Sequence, residues 1–194
     1  MKKILLTLGV LLVAIAIPLR SWLIEPLSAQ DTPITDVREG DVIFHTSQSS
    51  QSPLIQIGTR SHITHCGIVV IKDGKPFVLE TLKTLVLTPL DKFIARGKDG
   101  KYWLKRSDRE NIKIEYAHYL GKPYDLAFSF DNDIYKKQLG IELCKPKQVG
   151  DYLILGTDKL NKIESTMQRR GITKKQYAVA PVDVFESEYL HSVK

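Results

Sequence analysis

Apolar and polar positions alternate most clearly in the middle of the chain. His65 to Ile71 (HCGIVVI) is an apolar run of strand length, and Phe77 to Leu82 (FVLETL) is a second one. Asp73-Gly74 lies between them, a dipeptide that favours the two-residue loop of a β-hairpin. Val42-Ile43-Phe44 reads as a short buried strand after the Gly40-Asp41 turn signal, and Leu85–Thr88 and Tyr102–Leu104 read as further strands. Between those two, Pro89–Arg96 has the length of a short helix. Ser52-Pro53 is a helix start, a serine cap with proline in the first turn; Leu54, Ile55 and Ile57 form its apolar side and Gly58 its end. Asn111–Leu120 and Leu155–Met167 are expected to be helical, and Val179–Phe185 to be a closing strand and turn. Consecutive strands flanked by helices imply an α+β fold, an antiparallel sheet packed with helices.

The first 30 residues follow a different pattern. Lys2 and Lys3 precede an apolar run from Ile4 to Ile17, closed by Pro18 and Arg20. That is the form of an export signal, and the run is shorter than the roughly 20 residues that comfortably span a bilayer. Residues 1–30 are therefore expected to be a signal peptide or an N-terminal membrane anchor. They would place a single domain, residues 31–194, in the periplasm or on the outer face of the inner membrane. Residues 20–36 read as a tether, with Pro26 and Pro33.

Composition narrows the function. The 194 residues are 43% hydrophobic and 26% charged, enough for one ordinary core. The net charge is +6, and without residues 1–29 the chain keeps 25 basic and 21 acidic residues. That mild surplus suits an anionic envelope. The basic residues are scattered rather than gathered on an aromatic-lined face, which argues against nucleic acid. No zinc-type ligand spacing and no phosphate-cradling glycine loop occurs, so neither metal nor cofactor is expected. Two cysteines, Cys66 and Cys144, are too few for a disulfide framework. In an exported chain they could pair, or both could be small apolar side chains.

The hairpin carries the candidate chemistry. With Asp73-Gly74 as the loop, Lys72 faces Lys75, Gly67 faces Glu80 and His65 faces Leu82. His65 and Glu80 then share a sheet face as diagonal neighbours, about 7–8 Å apart at the backbone. A carboxylate there can orient the imidazole and stabilise its protonated form, as in a nucleophile–His–acid triad. Cys66 is adjacent to His65 and must face the other way. His45, His62, His118 and His191 have no such partner in register and are expected at the surface. Ser47, Ser49 and Ser50 lie in a polar loop without an elbow motif.

Several segments resemble one family. REGDVIF is similar to the opening strand of NlpC-type hydrolases, and SHITHCGIVV with DGKPFVLE resembles the histidine hairpin of their permuted papain-like (YiiX/YaeF-like) branch. YLGKPYDLAF resembles the Gly-x-Pro-Tyr element ahead of the catalytic cysteine, and VAPVDVFESEYL the closing segment. The resemblance runs from about Val37 to Leu190 and implies a thiol hydrolase of amide bonds. It makes His65 the general base and Glu80 its orienter, and places Tyr124 and Asp125 near the substrate cleft. The implied partner is a cell-wall peptide or a lipid-like amide or acyl substrate. One departure stands out. The family has a Cys-Ser-Glu-Leu-Val-like helix start shortly after this element, whereas here Asp133-Ile134-Tyr135 runs directly into Lys136-Lys137-Gln138-Leu139-Gly140. The nucleophile and about ten residues around it are missing, which leaves Ile134–Leu139 as a helical stump. Three functions follow from this: an envelope cysteine hydrolase without its nucleophile, a non-catalytic ligand-binding protein, or a lipid acyl hydrolase or acyltransferase.

Overall fold

The computed structural model describes residues 27–28, 36–123, 130–152, 165, 167–169 and 171–193. Its frame is an antiparallel sheet. The strands are β1 (Leu27–Ser28), β2 (Val42–His45), β3 (His65–Lys72), β4 (Lys75–Thr81), β5 (Leu85–Pro89) and β6 (Lys101–Arg106). They lie in the order β1-β6-β2-β3-β4-β5. A last short strand, His191–Ser192, pairs with the end of β6 at Lys105 and Arg106. Leu27–Ser28, part of the expected tether, pairs with Tyr102 and Lys101. The expected signal segment otherwise lies outside the described residues, and no described helix is long and apolar enough to cross a membrane.

Both faces of the sheet are covered, and strand alternation assigns each side chain to one of them. Val42, Phe44, Ile68, Val70, Leu79 and Trp103 face one core, which Ile134, Tyr135, Val184 and Phe185 complete. Ile43, Val69, Val78, Tyr102 and Leu104 face a second, filled by Leu90, Phe93 and Ile94 from the helix α2 (Leu90–Ala95). The helix that precedes it in the chain, α1, runs from Ser52 to Thr59. It starts one residue earlier than expected. Gln51 is its cap, Ser52 lies inside and bonds Thr64, and the end is made by Arg60 in left-handed backbone rather than by Gly58.

Three expectations are corrected. Asn111–Leu120 is not a helix; only a 3₁₀ turn forms, Ala117–Tyr119. Its backbone N–H groups are claimed from outside: Ile114 donates to Glu39 Oε1 at 2.8 Å and Glu115 to Gln138 Oε1 at 2.9 Å. Val179–Phe185 is not a strand but contains the helix Pro181–Phe185, with Pro181 in the first turn and the Ala180 N–H donating to Asp183 Oδ2 at 2.8 Å. The expected stump is longer than Ile134–Leu139: helix α3 (Phe130–Ile134) continues into a π-helical turn, Tyr135–Leu139, which Gly140 closes in left-handed backbone. Tyr135 is fully buried and donates its hydroxyl to the Gly40 carbonyl. The expected helix Leu155–Met167 lies almost wholly outside the described residues.

Gly40 sits at φ +87°, and a Cβ there would meet Ile112 Cγ2 at 2.5 Å. Gly140 has φ +67° with nothing within 4 Å of the same position. Gly40→Ala should therefore cost about 2–4 kcal/mol, from backbone strain plus overpacking. Gly140→Ala should cost only about 1–2 kcal/mol, from strain alone. Urea midpoints of the two variants check this, and equal losses would show that contact with Ile112 is relieved at no cost.

Candidate active site

The hairpin has the register that its two-residue loop dictates. Lys72 faces Lys75 and Ile68 faces Leu79. Continued to the open end, this brings His65 and Glu80 to the face that packs on α2. The His65 Nε2 lies 2.7 Å from Glu80 Oε2. Gly67 makes the approach possible, since a Cβ there would stand 2.5 Å from Val78 Cγ1 and 3.2 Å from the Glu80 Cβ. The Glu80 side chain is fully buried and that of His65 is 22% exposed, so the carboxylate forms the floor and the imidazole reaches solvent. With Nε2 held by the carboxylate, Nδ1 is the ring nitrogen left to move a proton.

Two residues complete the cluster that strand-local reasoning does not supply. The Arg96 guanidinium donates to Glu80 Oε1, the oxygen that His65 does not use. The Thr88 hydroxyl also bonds the carboxylate. Burial pushes the Glu80 carboxyl up. The hydrogen bond and charge of His65, then Thr88 and Arg96, outweigh that, and the net value lies below the ordinary one. Nothing local in the sequence ties Arg96 to Glu80. A basic residue at the end of a short helix reads as a partner of the helix dipole.

His45 is a correction. It is not a surface residue: it is 1% exposed and is the register partner of His65 on β2. The four-residue β2 is buried along its whole length, so its polar last residue is enclosed as well. Its ring stacks on Phe93, with centroids 4.4 Å apart, and on His65 at 5.3 Å, the planes nearly parallel in both pairs. Burial, then the charge of His65, lowers its pKa to about 3. It stays neutral near pH 7, and its Nδ1 has no hydrogen-bond partner.

The other candidates fall elsewhere. Cys66 packs against the first core, on the opposite face from His65, as alternation requires, and Cys144 packs against that same core. Neither cysteine is in a disulfide. The Cys144 N–H donates to Asn132 Oδ1 at 3.1 Å. Tyr124 and Asp125 lie outside the described residues. His118 and His191 are exposed and His62 is partly buried.

The neutral His45 makes stability depend on pH. Its unfolded ring takes a proton near pH 6.5 and its folded ring near 3. The contribution is complete above pH 6.5 and is lost as pH falls toward 3, at up to about 1.4 kcal/mol per unit. Glu80 adds a later loss, below its ordinary value of 4.5. His45→Phe keeps the stacking and removes the first slope, so its urea midpoint should fall less than that of the parent between pH 6.5 and 4.5. Parallel slopes would refute a buried neutral ring.

Comparison with known proteins places this geometry in a family. The chain is 30% identical over 171 residues to the uncharacterized protein YiiX of Escherichia coli K12, covering 79% of this chain and 84% of that one. A crystal structure of YiiX from Escherichia coli O157:H7, described as a metalloprotein, superposes with a TM-score of 0.68 at 30% identity, over 81% of this chain and 96% of that one. Among the described residues of this chain, no three His, Cys, Asp or Glu side chains gather to hold a metal ion. Residues 36–194 match the family model of the permuted papain-like amidases, YaeF/YiiX. With the α+β architecture and the histidine hairpin described above, this chain belongs to the permuted papain-like amidase family.

Proposed function

We propose that this chain is an exported, non-hydrolysing member of its family. It keeps the histidine–carboxylate half of a thiol site and holds an amide-bearing ligand of the cell envelope without cleaving it. Thiol hydrolysis of an amide needs a nucleophile, a base beside it and a group that orients the base. His65 and Glu80 supply the last two. The observation that carries the reading is the run from Phe130 to Gly140, which passes through a π-helical turn and contains no cysteine. The two cysteines elsewhere pack on the sheet face opposite His65. His65 points to the other face, so neither thiol stands beside the imidazole that would serve as its base. Lys2, Lys3 and the apolar run from Ile4 support export. A peptide amide carries one donor and one acceptor, and the His65 Nδ1, left open by the bond of Nε2 to Glu80, can meet one of them.

The test pairs turnover with binding. Incubation with muropeptide amides and acyl lipids should give no hydrolysis above the blank, and iodoacetamide treatment should change nothing. A soluble muropeptide should still bind, and His65→Ala should weaken that binding by about 1–2 kcal/mol, the loss of one hydrogen bond in a partly buried site. Turnover abolished by Cys144→Ser would overturn the proposal, because Cys144 would then have taken over as nucleophile.

A further inference from the structure

We propose that Arg96 is a positioning residue for the His65–Glu80 pair: its guanidinium occupies one oxygen of the buried carboxylate, turns the other toward His65, and keeps His65 from being locked in its protonated form. This rests on the reading of His65 and Glu80 as the retained half of the site.

The geometry sets Arg96 apart from a surface arginine. Its guanidinium bonds Glu80 Oε1 while His65 Nε2 holds Oε2, so the two side chains divide the carboxylate between them. Glu80 is fully buried, and the Arg96 side chain is 39% exposed. A buried carboxylate facing His65 alone would place its whole charge on the imidazole and strongly favour the imidazolium. A base must be able to shed its proton at the working pH. A second, permanent cation on the same carboxylate weakens that pull.

The backbone that delivers Arg96 is held in place. Arg96 caps α2, its N–H donating to the Phe93 carbonyl at 3.2 Å, and its guanidinium lies 5.8 Å from the Phe93 ring centre. Gly97 follows, bridged to Ser47, while the Lys98 N–H donates to the Thr46 carbonyl at 2.9 Å. The Gln48 amide reaches the Gly97 carbonyl at 3.2 Å. A Cβ on Gly97 would stand 2.8 Å from the Lys101 carbonyl oxygen and 3.1 Å from the His45 Cβ. The turn after α2 is thereby seated on the end of β2, beside His45.

Among the described residues, the titratable and charged groups around His65 are His45 from β2, Glu80 from β4 and Arg96 from this turn; Phe93 from α2 is apolar. His45 is neutral near pH 7, so Arg96 is the cation that counters Glu80 there.

The experiment follows the His65 ring by NMR across pH in the full-length protein, and needs no turnover; a negative result here leaves the question of the missing thiol untouched. Arg96→Gln should raise the pH at which His65 takes its proton by about half a unit to one unit. Arg96→Lys should restore most of the parent value, because the charge returns. In the Glu80→Gln background the same Arg96→Gln change should have a markedly smaller effect, since the carboxylate that transmits it is gone. A folded Arg96→Gln protein with an unchanged His65 titration would overturn the proposal. If Arg96→Gln alone fails to fold and the double variant folds, the coupling through Glu80 is upheld. Failure of both to fold would overturn it, because Arg96 would then be needed for packing alone.

Discussion

A two-residue hairpin loop leaves its strands no freedom of register, and the site depends on that constraint. Lys72 must face Lys75, and every pair further along follows. A slip of one residue would turn Glu80 from the α2 side into the core that holds Ile68, Leu79 and Tyr135. A carboxylate turned into that apolar core would lose His65 and Arg96, a cost far above that of one misplaced apolar group. The turn and the buried charge thus specify the same register from opposite ends of the hairpin. Gly67 is the third element, because only a residue without a Cβ leaves the Glu80 side chain its path.

The cluster on this face is assembled for placement rather than for stability. Glu80 is fully desolvated and needs His65, Arg96 and Thr88 together to remain a carboxylate. His45 adds an imidazole where phenylalanine would stack as well and leave no polar atom unpaired. An unsatisfied buried nitrogen costs about 1–3 kcal/mol. Arrangements of this kind belong to functional sites more often than to cores. Here the arrangement occupies one face of the sheet, while the helical segment from Phe130 to Leu139 packs on the other.

The parts that were legible in the sequence share one property: their geometry is local. The strands, the Asp73-Gly74 turn, the His65–Glu80 pairing and the opposite facing of Cys66 all follow from period-two alternation over some twenty residues. The short helix expected within Pro89–Arg96 forms at Leu90–Ala95, between the two strands that bound it. What the sequence hid is set by distant partners. Asn111–Leu120 has helical spacing, but Glu39 and Gln138 take its N–H groups. His45 looks like the polar end of a strand until β3 and α2 close over it. Arg96 reaches Glu80 across sixteen positions, through a turn whose seat on β2 no local pattern reveals.

The contact between Tyr135 and the Gly40 carbonyl joins positions 95 residues apart. Such a bond can form only after the intervening chain has been arranged, whereas the Asp73-Gly74 hairpin closes within its own few residues. The strand pairing that presents His65 and Glu80 closes a short loop, whereas docking of the helix on the other face closes a long one. Changes in the helical segment then act chiefly on how fast the assembled protein comes apart, and leave the rate of reaching the hairpin nearly untouched. Substitutions in that helix can therefore change how long the folded protein lasts while the hairpin keeps its register.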